Sequence, residues 1–520
     1  MRKYIKPIII SAQYAFLLLI ISPVLKAQEN KVLSTPAAYE SYKLGSLWQQ
    51  STNAAGSLID NPVQFSELNA GYKLVNGSFH RPQEEAKGSS IFIDTEGSIK
   101  LKKAYVWGRF NYSRDERKDV TYNSSIIDPF RGMPYYVADS LPANWSNQKY
   151  DLQFRVATPK LRNVLSLGLE GSYKAYLGAK QRDPRTENYF YTLELKPGIV
   201  YSPNDKHNIG LNFKYASLKE ESEMSQENRN VDPVYYELYG LGTAVKGLGS
   251  GRTTNYVGNE IGGGLQYNYC GAINLLFGAN YSAKVEDVEI SFSTPRDDSS
   301  TKDQIWNTNL TLYTNGKEYT HYLKLDYQDR SIDGIQYITK YDNTEGWQSL
   351  YKSVRSTYKT KTAKALYTLM ANRDEEYNWR VDAGVNYEKK NDTYILPYSV
   401  KNAENIAFSL GGKKNFALSD KLTKRLLIGT GVAYNKNLSG EYNYNGQHSD
   451  YSVVKYFEQT DLNYLISDYY TVNCSAVYSQ RYNETINATV FAKANFSYSK
   501  TSDFDFSNRT RAEFSIGLNF

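Results

Sequence analysis

The 520-residue chain carries 48 tyrosines against only 4 methionines and 2 cysteines, a bias that suits strands and membrane–water interfaces and excludes a disulfide framework or cysteine metal site. The formal charge is +6, but Arg2, Lys3, Lys6 and Lys26 supply four of those charges, so 6 − 4 = +2 remains and no basic stripe for nucleic acid is left. A mean hydropathy of −0.59 looks soluble, yet a barrel strand shows lipid only at every second residue, so half of it stays polar.

In chain order, residues 1–27 read as a signal peptide. Arg2, Lys3 and Lys6 precede a mostly apolar run from Pro7 to Leu25, and Ala27 is the cleavage residue. Gln28 follows it, not the cysteine of a lipoprotein anchor. Residues 28–64 form an N-terminal segment, lumenal or periplasmic. Its middle, Gln49 to Asn53, is polar, but Leu47, Trp48, Leu58 and Ile59 need somewhere to bury. No other stretch holds 18 apolar residues, so no helical span is expected.

Residues 65–520 alternate. Trp379, Val381, Ala383, Val385 and Tyr387 interleave with Arg380, Asp382, Gly384 and Asn386. Period two means one apolar face. The runs exceed ordinary strands and match a tilted crossing of a bilayer. Strands are expected near 66–75, 89–101, 104–113, 149–157, 164–177, 188–201, 207–218, 256–269 and 272–285. The rest fall near 304–314, 317–330, 353–370, 377–390, 401–416, 425–436, 469–480, 487–499 and 507–520. Asn315-Gly316 marks a tight turn, and long connections are expected over 114–148, 216–255, 331–352 and 437–468. The fold class is all-β, a closed transmembrane antiparallel barrel of about 18 strands, 16–18 being the expected range and 14 the lower bound. An even count puts both ends on the periplasmic side.

The final strand sets Phe514, Ile516, Leu518 and Phe520 on one face and Glu513, Ser515, Gly517 and Asn519 on the other. It resembles the terminal strand of bacterial outer-membrane proteins, which implies recognition by the barrel-assembly machinery. Residues 51–74, STNAAGSLIDNPVQFSELNAGYKL, resemble the entry to the first strand of fatty-acid-transporter-like barrels, with a small-residue run, then Asn61-Pro62, then Leu68, Ala70, Tyr72 and Leu74. That resemblance implies a preceding segment inside the barrel, although that family has 14 strands. The whole chain is also similar to an uncharacterised group of large outer-membrane barrels. About 37 residues lie between Gln28 and the first strand, too few for the plug domain of a TonB-dependent receptor.

Strand parity nominates pore-lining charges: Arg109, Glu170, Lys174, Lys214, Lys324 and Asp326, then Arg380, Asp382, Glu388, Lys493, Arg511 and Glu513. Facing lipid at the midplane, an Arg or Lys would cost about 2–4 kcal/mol; in a wet lumen the cost is small. His448-Ser449-Asp450 are adjacent and cannot form a triad among themselves. His321 shares the apolar parity of Leu323 and Leu325 and reads as an interfacial ring. Gly247, Gly249 and Gly251, flanked by Lys246 and Arg252, have the composition of an anion cradle but read as a flexible loop. Cys270 and Cys474 are expected to stay unbridged.

These features point to an outer-membrane channel or transporter for a small-molecule solute, not an enzyme. The alternative is a scaffold or receptor subunit docking a partner protein through 216–255 and 437–468. Outer-membrane lipid and the assembly machinery are the expected partners, with no nucleic acid, cofactor, metal or catalytic group.

Overall fold

The computed structural model describes residues 33, 35–419, 423–482 and 488–520. The signal-peptide reading of residues 1–27 lies outside the described residues. In chain order the first strands are β1 (Phe65–Asn76), β2 (Lys87–Leu101), β3 (Ala104–Val120), β4 (Tyr135–Ala138), β5 (Ala143–Ala157), β6 (Leu165–Lys180) and β7 (Arg185–Tyr201). Next come β8 (His207–Ser225), β9 (Val234–Tyr239), β10 (Ala244–Leu248), β11 (Thr253–Tyr269), β12 (Asn274–Ser291), β13 (Pro295–Asn315) and β14 (Tyr319–Asp342). The last are β15 (Gly346–Arg373), β16 (Glu376–Tyr394), β17 (Ser399–Ser419), β18 (Lys424–Asn443), β19 (Tyr469–Arg481), β20 (Thr489–Lys500) and β21 (Asn508–Asn519).

Eighteen of these strands form one antiparallel sheet, and β4, β9 and β10 form a second of three. The large sheet closes because β1 pairs with both β2 and β21. At the seam Ser66 and Phe520 exchange backbone hydrogen bonds of 2.7 and 2.9 Å. Closure satisfies every edge, which is what lipid demands of a sheet. The apolar parity faces outward: Leu68, Tyr72 and Leu74 on β1, and Ile209, Leu211, Phe213 and Tyr215 on β8, are all exposed. No helix among the described residues is long and apolar enough to cross a membrane. The strands do so, and the chain is an integral outer-membrane barrel.

Each expected strand is present, but most run further at the rim away from the termini. β14 and β15 are 24 and 28 residues long. Their ladder continues to Asp342 opposite Gly346, so the expected long loop over 331–352 shrinks to residues 343–345. Above the lipid belt both strand faces are wet and alternation lapses. The backbone still needs its hydrogen bonds, and the hairpin supplies them. The long connections are 121–142, 226–252 and 444–468, all at that same rim. They carry the small sheet and a π-helical turn, Val453–Glu458, that runs into a short α-helix, Gln459–Leu465. Long loops there and short turns opposite mark it as the extracellular rim.

The N-terminal segment forms helix α1 (Pro36–Gly45) and two 3₁₀ turns, Trp48–Gln50 and Ala54–Gly56. Thr35 caps α1 by accepting the Ala38 N–H, and Pro36 sits where a helix tolerates it. The helix Gln459–Leu465 is α2.

The two cysteines are free, and Cys474 lies exposed on the outer face.

The register makes a direct prediction. Ile516 is 68% exposed and lies opposite Ala70, midway along the outer face of β1. Ile516→Arg should destabilise the barrel by about 2–4 kcal/mol in urea titrations in lipid vesicles. Asn473→Arg, on the inward parity of β19, should cost far less. Equal losses would refute the assigned faces.

Candidate functional site

The lumen is occupied at both ends. At the periplasmic end Leu47, Trp48 and Ala55 pack against Val200, Leu276 and Tyr322 of the wall. The Trp48 indole N–H donates to Asn268 Oδ1 at 3.1 Å. Arg155 of β5 donates to the carbonyls of Trp48, Gln49 and Ser51 at 2.7–3.2 Å and pairs with Glu170 at 2.6 Å. Asn53 donates to the Ile199 carbonyl and to Gln266, while Thr52 donates to Asn280. Two inward glycines make this approach possible. A Cβ on Gly168 would stand 2.2 Å from the Ala55 nitrogen, and one on Gly198 would stand 2.2 Å from Asn53 Oδ1.

Helix α1 lies across the neighbouring wall. Glu40 accepts from Lys413 at 2.7 Å and Tyr377 at 2.7 Å and pairs with Arg380 at 3.4 Å. Lys43 pairs with Glu96 at 2.8 Å, and Thr35 donates to Glu376. Ala37 packs with Met370, Tyr377 and Leu427.

At the extracellular end the small sheet and the π-helical turn before α2 meet in an apolar cluster of Ala138, Leu238, Ala244, Val453, Val454 and Phe457. Ion pairs tie this cover to the wall and to the first loop. Asp461 of α2 accepts from Arg81 through both carboxylate oxygens, at 2.6 and 2.9 Å, and from Lys401 at 3.0 Å. Those two cations hold the buried Asp461 carboxyl well below the ordinary carboxylate range, against the desolvation that opposes it. Arg131 bridges Glu220 and Glu286, and Lys180 pairs with Asp139 at 2.6 Å with both side chains buried.

Against the inner wall of β1 and β16–β21 lies a cavity of about 550 Å³. Its charged lining is Lys73, Asp382, Lys413, Arg511 and Glu513. One side is a wall without side chains, where Gly411 of β17 stands directly opposite Gly431 of β18.

The pairing register puts the twelve nominated charges on the face opposite the exposed apolar one. Most are paired there. Arg109 meets Asp94 at 2.9 Å, Lys214 meets Glu260 at 2.6 Å, and Glu170 meets Lys196 at 3.2 Å as well as Arg155. Lys324 meets Asp326 at 3.7 Å, Arg380 meets Asp382 at 2.8 Å, Glu388 meets Lys390 at 3.1 Å, and Glu513 meets Lys73 at 3.4 Å. Lys174, Lys493 and Arg511 make no ion pair among the described residues. Only Asp382, Arg511 and Glu513 of the twelve line the cavity.

Phe514, Ile516, Leu518 and Phe520 are exposed on the outer face of the seam strand. His448 stacks on Tyr451 at 4.5 Å, far from a nucleophile–base arrangement. His321 points outward and bonds the Tyr367 hydroxyl at 2.8 Å. Gly247 lies in β10, and Arg252 is buried against Glu237, so that cation is already satisfied.

A family description covers nearly all of this barrel. Residues 54–520 match the family of unknown function DUF6850. The chain belongs to that family. No curated protein matches it. Solved structures similar to this DUF6850 member include BauA, the ferric preacinetobactin receptor from Acinetobacter baumannii, at 9% identity and a TM-score of 0.41, covering 88% of this chain and 80% of that one. The outer-membrane transporter YddB from Escherichia coli follows at 8% identity and 0.40, covering 87% and 81%. The copper transporter OprC stands at 10% and 0.39, covering 88% and 80%.

Sequence reasoning allowed residues 28–64 a lumenal place but missed the extracellular cover as a structure. The inner sheet draws on four to six residues at a time inside long loops, too few to show a period. Lys73, Lys413 and the glycine pair were also missed, although the inward parity of Gly411 and Gly431 was a usable signal.

The Asp461 cluster predicts acid loosening of the extracellular cover. A carboxyl whose folded value is depressed stabilises above its unfolded value, near pH 4, and loses that contribution as pH falls further. Hydrogen exchange over 453–465 should therefore accelerate below about pH 4. Asp461→Asn should loosen the same segment at neutral pH by about 3–5 kcal/mol, because Arg81 and Lys401 lose their common partner. Unchanged protection in the variant would contradict the assignment.

Proposed function

We propose that this barrel is a gated channel or transporter that passes a small solute across the outer membrane, and that residues 35–64 are its periplasmic gate. The observation that carries this reading is the chemistry of the lumen. Both covers are separate chain segments that add hydrogen bonds and ion pairs to their apolar contacts, helix α1 meeting the wall through Glu40 and Lys43 on the side where Lys413 lines a charged cavity. A permanent filler would be expected to seal with apolar packing, which costs more to open in water. Polar contacts exchange with water at little net cost.

The covers differ in what holds them. The turns around Trp48 are anchored by buried apolar packing, whereas the cavity side of α1 is held through Glu40 and Lys43. This favours a gate that hinges near Trp48 and releases α1.

The scaffold reading keeps one specific observation in its favour. The β14–β15 hairpin projects at the extracellular rim with Tyr341, Trp347, Leu350 and Tyr351 exposed. Channel recording separates the two readings. Deleting residues 36–60 should raise single-channel conductance several-fold over the intact protein in planar bilayers. Unchanged conductance from a correctly folded deletion protein would overturn the gate and favour a filled scaffold.

A further inference from the structure

We propose that the central cavity is a binding site for a small organic anion, held through its carboxylate by Arg511. This deepens the solute-path reading and rests on it.

Charge bookkeeping around the cavity leaves one cation over. Lys73 is matched by Glu513 at 3.4 Å. Lys413 and Arg380 are matched by Glu40 and Asp382, at 2.7 Å for Lys413–Glu40 and 2.8 Å for Arg380–Asp382. Arg511 has neither an ion pair nor a hydrogen bond to any described residue, and its side chain is exposed to the cavity it lines. Its neighbour on the same face, Arg509, shows what a spoken-for arginine looks like in this strand. It is buried and donates to the Glu85 carbonyl at 2.5 Å and to the Glu85 carboxylate at 3.0 Å. A guanidinium offers five donors in a planar fork that matches a carboxylate edge. A free one inside a walled space of this volume is an anchor without a load.

The rest of the lining fits the rest of such a solute. Asn473, Asn495, Ser475 and Ser497 line the cavity on strands β19 and β20, and each can serve hydroxyl or amide groups. The opposing glycine pair provides the room. A Cβ on Gly431 would meet nothing nearer than the Leu410 carbonyl at 3.4 Å and Gly411 Cα at 3.5 Å. A Cβ there would make only ordinary van der Waals contacts, so a larger residue would project from β18 toward the cavity without displacing backbone. A volume of about 550 Å³ is within the usual range for small-molecule sites.

The test uses matched pairs of charged and neutral solutes. Gluconate against glucitol, and lactate against propane-1,2-diol, are titrated calorimetrically into the purified full-length barrel. At least one carboxylate should bind about tenfold or more tightly than its neutral partner, as expected for a charge-assisted bidentate contact. Arg511→Gln should erase that preference, Arg511→Lys should restore part of it, and Gly431→Leu should abolish binding by filling the hollow. Heat-modifiable migration of each variant confirms a folded barrel. No preference for either carboxylate, or a preference that survives Arg511→Gln in folded protein, overturns the proposal. The deletion of 36–60 is recorded in parallel. A conductance rise with no carboxylate preference sinks the site and leaves the solute path standing. Carboxylate binding with no conductance rise keeps the site and sinks the gate.

Discussion

Everything in this fold depends on the seam between β1 and β21. Lipid offers no hydrogen bonds, so a sheet that crosses it cannot keep an unpaired edge. The ladder from Glu67–Asn519 to Asn76–Thr510 removes the last two edges at once. Once the sheet is closed, each strand has one face toward lipid and one toward a lumen, and the two faces obey different rules. Outward positions must be apolar. Inward positions are free to carry charge, provided water or a partner is near.

The inward face uses that freedom in a graded way. At the periplasmic end the wall presents amides and glycines, and residues 51–56 come close enough for the Thr52 and Asn53 side chains to bond with it. At the extracellular end it presents carboxylates and cations that are buried and matched, as with Arg131 between Glu220 and Glu286. Midway the wall presents glycines and one unmatched arginine. Packing is therefore dense where segments must be held and sparse where a solute would pass. Buried ion pairs add little net stability compared with apolar packing, but breaking one partner is costly. They hold the covers in one arrangement against the wall.

The barrel was legible in the sequence because lipid enforces period two over ten residues at a stretch. Leu165 to Leu177 and Ala488 to Tyr498 show it plainly, and even the strand number follows from it. The outer halves of β14 and β15 were not legible, because beyond the lipid nothing distinguishes their two faces. The covers were harder still. Trp48 announced a need for burial, but the pockets that receive it come from β7, β11 and β12, more than a hundred residues away. The nominated charges came from parity alone, so sequence could put them on one face but could not sort the nine that lie outside the cavity from the three that line it. That sorting depends on which lengths of wall the covers occupy.

The central claim is that the N-terminal segment sits within the lumen against named wall residues. The most direct measurement is a cross-link. With Cys270 and Cys474 replaced by serine, Thr52→Cys and Asn280→Cys are combined, since the native side chains meet at 2.8 Å. A short bifunctional thiol-reactive reagent (a bis-methanethiosulfonate) applied to the protein in native membranes should join the two positions in high yield, while Thr52→Cys paired with a cysteine at the outward-facing Ala279 should not react. Absence of the first product in folded barrel, or equal yields for the two pairs, would contradict the lumenal placement.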